Sequence, residues 1–169
     1  MSRNPHRRAP AEEMLCTELD SPIGRLLLVG DGQALQGLYM QDGRRPAAAS
    51  PLWRRSSDAF ADVAAQLEEY FAGDRTEFAV TLRMRGSEFQ RSVWRELRNV
   101  AYGQTISYGE LARRIGRPSA ARAVGLANGS NPVAVIVPCH RVIGANGTLT
   151  GYGGGLERKR LLLELEAGA

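Results

Sequence analysis

Apolar positions along this chain follow two patterns. The first half holds short β-type runs bounded by turn residues, and the second half is dominated by helical spacing. Cys16 to Tyr39 reads as two strands. Arg25-Leu26-Leu27-Leu28-Val29 follows a Ser21-Pro22-Ile23-Gly24 turn, and Leu35 to Tyr39 follows the hairpin signal Asp31-Gly32. Arg44 to Pro51 reads as a loop. Phe60, Val63, Ala64, Leu67, Tyr70 and Phe71 predict a helix over Ser57 to Phe71, ended by Gly73. Phe78 to Leu82 reads as a further strand. Residues 1–13 carry Pro5, Pro10 and the cluster His6-Arg7-Arg8 without periodicity, and read as a flexible tail.

In the second half, Phe89, Val93, Trp94 and Leu97 line one side of a helix over Ser87 to Arg98. Ser107, with Glu110 three residues on, forms a capping box for a helix that Leu111 and Ile115 bury and Gly116 stops. A second helix runs from Ala120 to about Asn128. The pair gives a helix-turn-helix outline. Asn131-Pro132 leads into Val133-Ala134-Val135-Ile136-Val137, a β-type run closed by Pro138-Cys139-His140. Ala145-Asn146-Gly147 is a hairpin-type turn between Val142-Ile143 and Leu149. Gly151 to Gly155 is a flexible loop, and Leu156 to Glu166 a last helix. The fold class is α+β: a small N-terminal α+β domain over 14–85, then a mostly helical C-terminal domain over 86–169.

Composition narrows the field. With 169 residues, 43% apolar and 24% charged, the chain can bury a core without disulfides. No apolar run approaches the roughly 20 residues that span a bilayer, and Met1 to Pro10 holds no secretory apolar core. Two cysteines, Cys16 and Cys139, suit free thiols in a reducing cytoplasm. The net charge is +4. Residues 86–166 hold 11 Arg/Lys against 6 Asp/Glu, whereas residues 1–85 hold 11 against 12. The basic excess in the second half suits a polyanion, or is a set of scattered solvated arginines. Arginine outnumbers lysine 21 to 1, which fits phosphate recognition or a GC-rich coding bias.

Three positions carry candidate chemistry. Cys139 beside His140 is a nucleophile beside a base, or a buried cysteine beside an exposed histidine. Neighbours on a strand point to opposite faces, so His140 reaches the sulfur only if the chain turns there, or through a water. A cysteine hydrolase needs a base from elsewhere, and His6 lies in the tail. Two Cys and two His at positions 6, 16, 139 and 140 match no metal-ligand spacing, so no metal is expected. Glu166 sits on the apolar side of the last helix and near its C-terminus, where the macrodipole disfavours a carboxylate. Either a partner such as a histidine holds it there, or the helix end is solvated. Ala120, Ala121, Ala123, Gly125, Ala127 and Gly129 give a small-faced helix with Arg122 its one long cation. Such a face fits close approach to a minor groove, with Arg122 filling a gap in the base stack, or it packs on a neighbouring helix.

Taken together these residues resemble the O6-alkylguanine-DNA alkyltransferases across about residues 87–166. The matching motifs are Pro138-Cys139-His140-Arg141-Val142, Ile106-Ser107-Tyr108, Ala120-Ala121-Arg122-Ala123-Val124-Gly125, Asn131-Pro132 and Tyr152-Gly153-Gly154-Gly155-Leu156. The first half is compatible with that family's ribonuclease-H-like domain, and the second with a winged-helix-like one. The resemblance implies direct reversal of damage in duplex DNA, used once per molecule and without a cofactor. Cys139 would accept the alkyl group of O6-alkylguanine, and of O4-methylthymine. His140 would act as base through a water, oriented by Glu166, and Asn131 would hold the turn before the active-site segment. Arg122 would replace the extruded base. Tyr108 would press on the phosphate and hydrogen-bond the flipped guanine. Val142, Tyr152, Gly153 and Gly154 would line the pocket. Gln90, Gly109, Ala123 and Ala145 would lie with them at the DNA surface, Ala145 on the wing. Two departures stand out. Gly153 replaces a serine found in some members, and the N-terminal zinc ligands of others have no counterpart. A related group binds alkylated DNA without a nucleophile, and Cys139 sets this chain apart from it.

Overall fold

The computed structural model describes residues 13–41, 50–152 and 155–168. Residues 1–12 of the expected tail, most of the Arg44 to Pro51 loop, and Gly153 and Gly154 lie outside them.

The first half is built on a four-stranded sheet in the order β3-β2-β1-β4. Strands β1 (Leu15–Ser21), β2 (Gly24–Gly30) and β3 (Leu35–Met40) form an antiparallel meander, and the short β4 (Arg54–Arg55) runs parallel to β1. Three strands form where the pattern predicts two. Glu18 and Asp20 interrupt the apolar run of β1, which is held by its pairing with β2. Gly24, at φ 102°, makes the β1–β2 turn in a backbone region that a side chain would strain. Along β2 the faces alternate. Leu26 and Leu28 enter the main core, whereas Leu27 and Val29 join Cys16 in a small cluster on the opposite face. Cys16 is thus a core residue of that second face.

Helix α1 (Ala61–Phe71), entered by a 3-10 turn over Asp58–Phe60, brings Leu67 and Tyr70 into the main core. The expected strand Phe78 to Leu82 is an extended segment with a single bridge, Leu35 to Leu82. Its backbone meets β3 at Leu35 only, through Leu35 N to Thr81 O at 2.9 Å and Arg83 N to Leu35 O at 2.9 Å.

The second half begins with α2 (Glu88–Leu97). Its capping box is complete: Gln90 N donates to Ser87 Oγ, and Ser87 N donates to Gln90 Oε1. After the two-residue β5 (Ile106–Ser107) come α3 (Tyr108–Arg114) and α4 (Ala121–Gly129), the helix-turn-helix pair. Ser107 caps α3 by accepting from Glu110 N at 3.1 Å. Trp94 Nε1 donates to Ala127 O at 2.8 Å, tying α2 to α4.

Val133 to Val137 is not a strand. It is a series of tight turns that touches the sheet at one bridge, Leu38 to Val133. Pro132 and Pro138 bracket it, and Val135 lies at φ 70°, a strained conformation for a β-branched residue. The run is apolar because the turns are buried on all sides, and period alone does not separate that case from a buried strand. Beyond it, β6 (Val142–Ile143) pairs in parallel with β5. The expected turn at Ala145 to Gly147 is present and closed by Gly144 N to Thr148 O at 2.8 Å, but Leu149 forms no strand. Helix α5 (Leu156–Glu166) closes the described chain. A single core cluster joins Leu26, Leu38, Leu67 and Tyr70 of the first half to Trp94, Leu111, Cys139 and Leu162 of the second.

Candidate active site

Cys139 and His140 sit on a 3-10 turn, Cys139–Arg141, and all three side chains are buried. The chain turns here, where a strand end was expected, so the strict alternation of a strand does not apply to Cys139 and His140. Asn131 builds the approach to it. Its Nδ2 donates to Val133 O at 3.3 Å and Val137 O at 2.9 Å, and its Oδ1 accepts from Val133 N at 3.0 Å. One side chain thereby satisfies three backbone groups of the turns. Asn128, on α4, donates to the Cys139 carbonyl at 3.3 Å.

Glu166, the last residue of α5, is the charge centre of the site. Its Oε1 lies 2.7 Å from His140 Nε2, and accepts from Arg141 Nη2 at 2.8 Å and Tyr70 Oη at 2.7 Å. Its Oε2 accepts from Arg141 Nε at 2.9 Å. Burial alone would raise its pKa, but the hydrogen bonds from His140, Arg141 and Tyr70 outweigh burial and hold it at about 2. An ionised carboxylate only accepts, so the proton lies on His140 Nε2 and the lone pair on Nδ1. Nδ1 is buried and has no hydrogen-bond partner among the described residues. Burial pushes the His140 pKa down despite Glu166, which keeps the imidazole neutral and its lone pair available.

Burial also pushes the Cys139 thiol up. Against it work the Asn131 amide, the Lys159 charge and the Tyr152 hydroxyl, so these groups favour the thiolate once it forms. Tyr152 Oη makes no hydrogen bond of ordinary geometry among the described residues, but it is close enough to Cys139 for each to affect the other's protonation. Lys159 is fully buried on α5. Its Nζ donates to Val142 O at 2.6 Å and Thr150 O at 2.8 Å, and its pKa is lowered by burial. The arrangement is a protonated, shielded thiol beside a neutral imidazole with an unshared lone pair, within reach of one buried cation.

Two family models divide the chain between them. The ribonuclease-like domain of 6-O-methylguanine DNA methyltransferase matches residues 14–84, and the DNA binding domain of the same family matches residues 88–168. The chain belongs to the 6-O-methylguanine DNA methyltransferase family. Methylated-DNA–protein-cysteine methyltransferases similar to it include that of Mycobacterium leprae, 55% identical over 89% of this chain and 91% of the relative. That of Methanosarcina acetivorans is 50% identical over 87% and 94%. The solved O6-methylguanine methyltransferase of Mycobacterium tuberculosis superposes with a TM-score of 0.85 at 54% identity, covering 92% of this chain and 93% of the other. A structure of the M. tuberculosis protein in complex with DNA superposes equally well, at 53% identity.

For a chain of this methyltransferase family, the structure brings Cys139, His140, Glu166, Asn131, Val142 and Tyr152 to one buried site. Val142 is fully buried beside the nucleophile's turn. Tyr108 opens α3 at the mouth, its hydroxyl donating to Thr150 O at 3.3 Å and its ring 3.6 Å from where a side chain on Gly125 would begin. Arg122 and Ala123 lie exposed on the first turn of α4, Gly109 is partly exposed on α3, and Ala145 is exposed on the 145–147 turn. Gln90 is already engaged, in the α2 capping box and with Ser130 Oγ at 3.1 Å, so its amide is a structural link between α2 and the end of α4. Three groups bonded into the site were given no role on the sequence alone: Arg141, Lys159 and Tyr70. Lys159 carried a usable signal, for it precedes Leu162 by three residues and Glu166 by seven, a cation on the same apolar stripe.

Proposed function

We propose that this chain repairs duplex DNA by moving the alkyl group of O6-alkylguanine, and of O4-methylthymine, onto Cys139. The observation that carries the reading is the buried Cys139–His140 turn with Glu166 2.7 Å from His140 Nε2. In this reading His140 Nδ1 takes the thiol proton through a water, and the thiolate attacks the alkyl carbon. The carbon–oxygen bond breaks, and guanine leaves as its ring gains a hydrogen bond or a proton. The product thioether has no activated carbonyl for water to attack, so each molecule acts once. O6 lies inside the base pair, and Cys139 is only 6% exposed. The base must therefore rotate out of the helix. The small exposed face of α4 supports approach through the minor groove, with Arg122 entering the stack. Tyr108, Tyr152, Val142, Gly153 and Gly154 would enclose the flipped base, while Gly109, Ala123, Ala145 and Gln90 meet the strands. The division into functional parts falls near residues 85 and 86, and the chain acts as a cytoplasmic monomer.

Incubation with a duplex containing O6-methylguanine, followed by intact mass, tests the reading. A gain of one methylene, placed on Cys139 by peptide mapping and lost in Cys139→Ala, is expected. Tight lesion binding with no gain in mass would instead make the chain a damage-binding module.

A further inference from the structure

We propose that Tyr70, carried by helix α1 of the sheet domain, is a positioning residue for alkyl transfer, its hydroxyl sharing Glu166 Oε1 with His140 Nε2. The proposal rests on the reading of His140 as the base.

Tyr70 is wholly buried, and its Oη donates to Glu166 Oε1 at 2.7 Å across 96 residues of chain. Burial and the neighbouring carboxylate push the phenol far above its ordinary pKa, so it stays a donor. The oxygen it reaches is the one that holds the base. Oε1 accepts from Tyr70, from Arg141 Nη2 at 2.8 Å and from His140, while Oε2 takes Arg141 Nε. Donors on one oxygen compete for its electron density, so the phenol weakens the pull of Glu166 on the His140 proton.

The aromatic surroundings fix the phenol in place. Its ring lies 5.2 Å from Phe71, 5.3 Å from Phe78 and 6.1 Å from Tyr102, and the Arg141 guanidinium sits 5.8 Å from the Tyr102 ring. The same cluster therefore seats two of the donors on Glu166. The charged and titratable groups acting on His140 are Glu166 and Lys159 from α5, Arg141 from its own turn, where Cys139 precedes it in the chain, and Tyr70 through Glu166. Among these, Tyr70 alone comes from the sheet domain.

Loss of the hydroxyl leaves Oε1 with two donors. The carboxylate then grips His140 Nε2–H harder, the imidazole becomes more basic, and it stays protonated to a higher pH. A protonated imidazole cannot accept the thiol proton, so the acid limb of the rate moves upward in pH. Each half unit of movement slows the reaction about threefold at a pH on that limb.

The test is Tyr70→Phe, which keeps the ring around which the core is packed. Single-turnover rates on O6-methylguanine duplex and on free O6-benzylguanine are followed across pH, together with the low-field proton resonance of His140 Nε2–H. An acid limb displaced to higher pH with both substrates, and a displaced Nε2–H resonance, are expected. A limb and resonance left at their wild-type positions overturn the proposal, whatever happens to melting temperature or plateau rate, and reduce Tyr70 to a packing residue. Glu166→Gln is measured alongside. If it leaves the rate and profile unchanged, the reading of His140 as a Glu166-oriented base fails, and the Tyr70 proposal falls with it. If it slows transfer while Tyr70→Phe does not shift the limb, only the Tyr70 proposal is lost.

Discussion

Glu166 is buried, ionised and bonded to three side chains, and this fixes how the protein responds to acid. Its carboxyl sits at about 2 in the fold against an ordinary value of 4.5. A carboxylate lowered in the folded state stabilises it above the unfolded value, and that contribution drains away as pH falls from 4.5 towards 2. The shift corresponds to about 3 kcal/mol. His140 acts in the same direction from a higher pH. Its pKa is lowered by burial, so the unfolded chain gains a proton near 6.5 that the folded chain does not. Stability is expected to decline below about pH 6.5 and more steeply below 4.5, and urea midpoints across that range check it. Glu166→Gln should flatten the lower part of the curve. Residues wrong for their place were legible in advance, as Glu166 was on its apolar stripe. Tyr70 was not, because an aromatic at a core position looks correct without any partner, and the target of its hydroxyl is 96 residues away.

Elements with strong periodicity or caps, namely α1, α2 and α5, match their predicted spans closely. The failures occur where backbone bonding is decided by distant chain. Val133 to Val137 is ordered by the Asn131 side chain and two prolines instead of by a ladder, and β6 finds its partner in β5, 36 residues earlier by the Ile106–Val142 pair. These irregular turns place Cys139 on a 3-10 turn, so the least predictable segment carries the nucleophile. Helix α4 belongs to this scale as well. Arg122 is exposed, with no hydrogen bond or ion pair to the described residues, on a face otherwise made of small side chains and the 74% exposed Leu126. Arg122→Ala is expected to slow repair in duplex by one or two orders of magnitude, in line with the few kcal/mol needed to unstack a base. Attack on free O6-benzylguanine should stay near wild type. Equal loss on both substrates would remove Arg122 from the flipping step.

Across the whole molecule, the main apolar cluster runs from Leu15 to Leu162 without a break between sheet and helices. The Tyr70–Glu166 bond, and Arg158 Nε donating to Ile23 O at 2.6 Å, cross the same boundary. The two halves are therefore expected to melt together. Tryptophan fluorescence, which includes the buried Trp94 of α2, and far-ultraviolet dichroism should give coincident transitions. A separate early transition of the sheet would show that the shared core does not couple them. Pattern along the sequence distinguishes the two halves, yet pattern is local and could not reveal that both halves supply donors to one carboxylate.

The burial of Cys139 also bears on what else the protein can react with. A residue that works once is lost to any electrophile that reaches it first. At 6% exposure, and with its thiol held above the ordinary pKa, Cys139 is shielded from small reagents both by access and by protonation, and Cys16 is shielded by access at 2%. Aromatic disulfide reagents are expected to label the native chain at least tenfold more slowly than free cysteine, and to titrate both thiols at once after denaturation. Rapid native labelling at Cys139 would contradict this. The fold thus acts as a protecting group, one that an alkylated guanine seated in the pocket can pass and a reagent without that shape meets as a barrier.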